Sequence, residues 1–155
     1  MKTVVITGGT DGIGRALALT YLERGDHVVA IGTSPTKGRA LHEAASAMKA
    51  LDRFEFLRAD LSLVVENRRV LDRITVTYPT VDILVLGARY YRSHRAVTAE
   101  GFEANFALFY LSRYLLGHGL AAHLERAAAP VLVDLSGPGG DLSRIRWDDL
   151  QFTRS

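Results

Sequence analysis

Two periods of apolar spacing alternate along the chain. Val4, Val5 and Ile6 form a short apolar run ended by glycines, which reads as a buried first strand. Ile13, Leu17, Thr20 and Tyr21 then recur at helical spacing, and Gly25 is placed to cap that helix. Residues 27–31 are a second strand, and Leu41, Ala44, Ala45 and Met48 make the inward stripe of a second helix. Residues 54–57 are a short third strand, followed by Asp60. Val64, Leu71, Ile74 and Tyr78 mark a third helix that Pro79 ends. Residues 81–86 form the most apolar strand, and a long helical segment from about 99 to 128 follows, apolar on more than one face. Residues 131–135 are a fifth strand, and Gly137-Pro138-Gly139-Gly140 must be a loop.

Strands alternating with helices predict a parallel α/β sheet. Crossovers between parallel strands are almost always right-handed. Winding in both directions from the first strand gives a three-layer, doubly wound sheet of the Rossmann type. Its strand order is 3-2-1-4-5, with a ligand crevice at the switch point. No internal repeat, low-complexity tract or linker interrupts the pattern, so residues 1–155 are expected to form a single domain.

Length and composition agree with this picture. The chain has 155 residues, 48% of them hydrophobic and 23% charged, enough to bury one sizeable core. Cysteine is absent, which removes disulfides and thiolate metal sites. The apolar run at the start is too short for a signal peptide or a membrane span, so a cytoplasmic protein without a membrane partner is expected. Net charge is only +2. Arg68, Arg69 and Arg73 read as the solvated face of a helix, and a basic stripe with stacking aromatics is missing, which argues against nucleic-acid binding.

The chemistry sits in Thr7-Gly8-Gly9-Thr10-Asp11-Gly12-Ile13-Gly14, between the first strand and the first helix. Gly8 permits a tight turn, Gly12 lets a pyrophosphate approach the backbone, and Gly14 allows helix to pack on strand. The helix N-terminus adds free N–H donors and the positive end of a dipole. With the preceding Thr7, this Gly-x-x-x-Gly-x-Gly spacing resembles the fingerprint of the short-chain dehydrogenase/reductase family. A structural glycine turn without a ligand is the plainer alternative.

Other residues extend the resemblance. Asp60-Leu61 matches the family's acidic position near the adenine, and Asp82-Ile83-Leu84-Val85 matches its fourth strand. Glu100-Gly101-Phe102-Glu103 resembles the lead-in to its next helix. The stretch from Ser136 through Trp147-Asp148-Asp149-Leu150-Gln151 is most similar to the retinol-dehydrogenase-like branch. The resemblance covers nearly all of this chain but only about the first half of a family member, so a truncated version of the fold is expected. It implies NADP or NAD as cofactor and hydride transfer between nicotinamide and a small carbonyl or alcohol substrate. At the end of the second strand an acidic residue would bind a ribose hydroxyl. Thr33 and Ser34 stand there instead, with Lys37 and Arg39 close behind, which favours NADP; solvated first-turn cations are the alternative for the last two. Asp11 weakens that preference, because NADP-preferring members often carry a basic residue there.

The resemblance fails at the reacting centre. Ser136 matches the family's substrate-holding Ser within one residue of register, although a strand-capping role would suit it equally. Phe109 falls where the family has Asn, and Asn105 lies one helical turn earlier. No Tyr-x-x-x-Lys is present, and Tyr91 with Arg95 lies in the wrong place. Gly87, Ala88 and Arg89 follow the fourth strand, with Arg89 in place of a glycine beside the cofactor. It threatens close approach, unless its guanidinium meets a phosphate. His94 in the same loop reads as a surface residue.

Three functions therefore compete. The first is an NADP-dependent oxidoreductase, inactive alone. The second is a non-catalytic dinucleotide-binding sensor or partner of a complete reductase, and the third is an interaction module that has lost its ligand. An uncovered fifth strand and an apolar helix face around Leu108, Leu111, Leu115 and Leu116 predict a homo-oligomer.

Overall fold

The computed structural model describes residues 1–90, 93–137 and 140–154. Tyr91, Arg92, Pro138, Gly139 and Ser155 lie outside the described residues, and with them part of the loop after the fourth strand and of the glycine loop.

Five parallel strands form one sheet: β1 (Thr3–Thr7), β2 (His27–Gly32), β3 (Phe54–Arg58), β4 (Ile83–Leu86) and β5 (Val131–Asp134). Their order is β3-β2-β1-β4-β5, as the alternation of strands and helices predicts. β1 lies at the centre, pairing Val4 with Val28 on one side and with Ile83 on the other. Successive strand residues face opposite sides, so one register divides the core in two. Val5, Val29, Ile31, Leu84 and Leu86 face helix α3 (Val64–Thr77) and helix α5 (Ser112–Gly119) through Val70, Ile74 and Leu116. Val4, Ile6, Val28, Ala30 and Val85 face helix α1 (Gly12–Glu23) and helix α2 (Pro35–Ala47) through Ala18, Leu22, Leu41 and Ala45. Two helix layers thus sandwich the sheet.

Three expectations are corrected. The inward stripe of α1 is Gly14, Ala18 and Leu22, while Ile13 is 67% exposed. Gly14 lets the helix lie so close to β1 that the whole stripe turns toward it. The segment expected to be helical from 99 to 128 begins only at helix α4 (Ala104–Phe106), capped by the Glu103 carboxylate on the Phe106 N–H at 2.7 Å. It passes through a π-helical turn (Ala107–Leu111) into α5 and ends in the short helix α6 (Ala121–Leu124). Gly101, at φ +86°, turns the chain just before α4. Glu100 instead caps α3 from 36 residues away, accepting from the Val64 and Val65 N–H groups. The exposed stripe of this helix is aromatic rather than the expected leucine face. Leu116 is buried and Leu108 packs on the core, whereas Phe106, Tyr110, Tyr114 and His118 stack in sequence.

The uncovered fifth strand is as expected: Val131 and Leu132 on β5 are 42% and 50% exposed. Among the described residues no helix is long and apolar enough to cross a membrane.

One buried polar group joins two layers. Asn67 on α3 donates to the carbonyls of Leu61 and Leu63 at 2.8 and 2.7 Å, and its Oδ1 accepts from the Ser112 hydroxyl on α5 at 2.8 Å. Every partner of that amide is in place, so it fixes α3 against α5 without a desolvation penalty. Removing it leaves a buried hydroxyl unpaired. Asn67→Ala is predicted to lower stability by about 2–3 kcal/mol and Ser112→Ala by about 1 kcal/mol in urea unfolding. A loss below about 0.5 kcal/mol for Asn67→Ala would contradict this role.

Candidate functional site

A cleft of about 1050 Å³ opens at the C-terminal ends of the strands, where the sheet order reverses between β1 and β4. That volume is at the upper end of ordinary ligand sites. Its floor is the turn from β1 into α1. Gly8 takes φ +69° and Gly12 φ +48°, a region that L side chains avoid. A Cβ on Gly8 would stand 2.8 Å from the Gly87 carbonyl oxygen, and one on Gly14 would stand 2.8 Å from the Gly8 carbonyl carbon. Gly12, by contrast, faces open space. The turn is therefore closed beneath by backbone packing and open above, with the first N–H groups of α1 at the cleft. This cradle fits a dinucleotide pyrophosphate.

Asp11 caps α1, accepting from the Gly12 N–H at 2.9 Å. Lys37, in the first turn of α2, forms an ion pair with the same carboxylate. The Lys37 ammonium, helped by the Gly12 N–H, holds Asp11 below the usual carboxylate range. The link is complete above the ordinary value of 3.8 and is lost as acidification takes the folded-state carboxyl through its lowered value.

Most of the expected cofactor residues converge on the cleft. Gly8, Thr10, Asp11, Gly12, Ile13 and Gly14 line one wall, and Thr33, Ser34 and Lys37 line another. Asp60 and Leu61 line a third, with Asp60 held by the Ser62 hydroxyl and N–H at 2.7 and 3.0 Å. Gly87, Ala88 and Arg89 complete the rim.

Thr7 and Arg39 lie away from the cleft. Thr7 is buried and does not line the cleft. Its hydroxyl accepts from the N–H groups of Gly87 and Ala88 at 2.9 and 3.0 Å and donates to the Val85 carbonyl at 3.4 Å, fastening β1 to the end of β4. Arg39 lies on the outer side of α2, with its guanidinium 3.4 Å from the Thr36 hydroxyl.

The expected catalytic residues are not gathered in the cleft. Ser136 lines a smaller adjoining cavity with Phe109, and Asn105 lines neither space. Reasoning from the sequence also missed three contributors. Arg58, at the end of β3, donates to the Thr33 carbonyl at 3.3 Å and brings a cation to the end of β2. Only strand pairing puts it there. Ala96, Val97, Thr98 and Ala99 form a far wall without any motif to announce them. Arg113, on α5, is turned inward beside Ser136. Among the described residues no cluster of side chains could hold a metal ion.

Comparison with known proteins agrees with this geometry. The family model described as short chain dehydrogenase matches residues 2–146. A Streptomyces sp. (strain C5) protein that carries the name of a daunorubicin C-13 ketoreductase is 35% identical over 155 residues, covering 99% of this chain and 52% of its own. Bovine retinol dehydrogenase 12 is 30% identical over 150 residues, covering 97% of this chain and 48% of its own. A short-chain dehydrogenase from Sphingobium yanoikuyae, solved with NADPH, superimposes with a TM-score of 0.72 at 25% identity, covering 86% of this chain and 53% of its own. The chain spans about half the length of the curated relatives it matches. On the glycine turn, the sheet order and the match over residues 2–146, the chain belongs to the short-chain dehydrogenase/reductase family.

Proposed function

We propose that this chain holds NADP(H) for a reductase or dehydrogenase that interconverts a carbonyl and an alcohol in the cytoplasm. The observation that carries the cofactor choice is the end of β2. Thr33 and Ser34 stand there without a carboxylate, flanked by Lys37 and Arg58. An acidic residue at this place would repel a 2′-phosphate, whereas two hydroxyls and two cations attract it. Lys37 already meets Asp11, so Arg58 is the cation freer to turn toward a phosphate. The names of the Streptomyces and bovine relatives, and the NADPH in the Sphingobium structure, support the same reading.

When bound, the cofactor supplies the hydride. The residues of this chain hold and orient it: the α1 N-terminus and Gly12 receive the pyrophosphate, and Asp60 and Leu61 line another wall of the cleft. Ser136 is the candidate for holding the substrate oxygen. Phe109 offers no hydrogen bond where the family carries Asn, and these 155 residues contain no Tyr-x-x-x-Lys pair. The proton donor is therefore expected from outside them, and the chain alone is expected to bind cofactor without turnover.

We also propose self-association through a second copy of this chain. The open edge of β5 accepts an identical edge, and the stack of Phe106, Tyr110 and Tyr114 offers further apolar area.

Titration of NADPH and of NADH, followed by nicotinamide fluorescence, is predicted to give tighter binding of NADPH by about tenfold. Arg58→Ala with Lys37→Ala should bring the two affinities together. Equal affinities in the unmodified chain, or tighter NADH, would overturn the assignment. Light scattering at micromolar concentration is predicted to give a mass above that of one 17.0 kDa chain. A monodisperse monomer would contradict the proposed association.

A further inference from the structure

The smaller cavity beside Ser136 has a composition that the dinucleotide cleft does not explain. It measures about 130 Å³ and is lined by Arg89, Phe109, Arg113, Leu135 and Ser136. Arg89 and Leu135 also line the large cleft, so the two spaces adjoin. A few water-sized groups fill such a volume, enough for one carboxylate and the carbon next to it.

Arg113 is the unusual member. Its side chain is only 11% exposed, although it sits on a helix whose next residue, Tyr114, is 53% exposed. Nη1 forms an ion pair with Asp134 at the end of β5. Nη2 is buried and has no hydrogen-bond partner among the described residues. The guanidinium lies 5.7 Å from the centre of the Phe109 ring, which covers one side of it. A buried guanidinium nitrogen without an acceptor is costly. Arg89 adds a second guanidinium on the same cavity and has no ion-pair partner among the described residues. Two positive charges face one carboxylate, leaving one positive charge uncompensated. Burial, and then the proximity of Arg89, hold the Arg113 guanidinium below its ordinary value, as expected of neighbouring cations.

We propose that the cavity formed by Arg89, Phe109, Arg113 and Ser136 binds the carboxylate of a small carbonyl substrate. A carboxylate suits the planar donor fork of arginine and neutralises the remaining charge. Its neighbouring carbon lies against Phe109, and the carbonyl beyond it reaches toward Ser136 and the large cleft. The substrate class is then an oxo acid rather than a neutral ketone. Assigning the anion to a substrate rests on the reductase reading above; the anion cavity itself does not.

Acetoacetate and its neutral ester, methyl acetoacetate, separate the possibilities. Each is titrated into the full chain without cofactor, following the arginine Nε–H signals and the amides of residues 135–137 by NMR. Acetoacetate is predicted to shift these signals saturably and to bind about tenfold tighter than the ester. Arg113→Gln should abolish that advantage, Arg113→Lys should keep part of it, and NADPH affinity should be unchanged in both. Should Arg113→Gln fail to fold, Arg89→Ala is predicted to lower the acetoacetate-to-ester ratio by about fivefold. Equal shifts from acid and ester would overturn the proposal. Inorganic phosphate binding here more tightly than acetoacetate would overturn the substrate assignment. NADPH binding is read separately, so failure of the cofactor reading and failure of the anion cavity are distinguishable.

Discussion

The architecture depends on how closely three backbone segments approach one another at the end of β1. The first turn of α1 lies on the Gly8 peptide, and the Gly8 peptide lies on Gly87 at the end of β4. No side chain fits between any of them, so the helix N-terminus is brought to the level of the strand ends. Thr7 fastens β1 to the end of β4, donating to the Val85 carbonyl and accepting from two N–H groups of the following loop with one hydroxyl. The fold is thereby committed to placing a positive helix end, the N–H groups of its first turn and a strand-order reversal at one point. A cleft at that point is a consequence of the packing rather than an addition to it.

Charge then differentiates the cleft along its length. At the end of β2, hydroxyls and cations replace the acidic residue that a ribose diol would require. Lys37 and Asp11 tie the first turn of α2 to the cap of α1. Beyond Arg89 the surroundings change again, to a buried guanidinium against an aromatic ring. Arg89 and Leu135 therefore stand between the dinucleotide cleft and the smaller cavity.

The sheet and the glycine turn were legible in the sequence because each is written in consecutive residues. Val4 to Ile6 followed by Gly8, Gly12 and Gly14 specifies strand, turn and helix without reference to anything distant. The alternation of strands and helices, with right-handed crossovers wound both ways from β1, likewise sufficed for the strand order. Contributions from across the fold were not legible. Arg58 reaches the end of β2 only through the pairing of β2 with β3, and Glu100 caps a helix 36 residues earlier. Thr7 looked like part of the ligand fingerprint, yet its hydroxyl is consumed inside the sheet. Ile13 satisfied the helical period but points outward, because Gly14 and not Ile13 meets the strand. Asn67 broke the apolar stripe of α3 and gave no sign that it was buried and fully paired. Arg113 turns inward to an ion pair with Asp134 at the end of β5, a contact that no local pattern announces.

Amide hydrogen exchange with and without saturating NADPH tests the central claim most directly, namely that the β1–α1 turn is the phosphate cradle. Exchange is predicted to slow by about tenfold at Gly12, Ile13 and Gly14 and at the first N–H groups of α2, with the distant edge of β5 unchanged. Binding of NADPH that leaves residues 12–14 exchanging as before would contradict it.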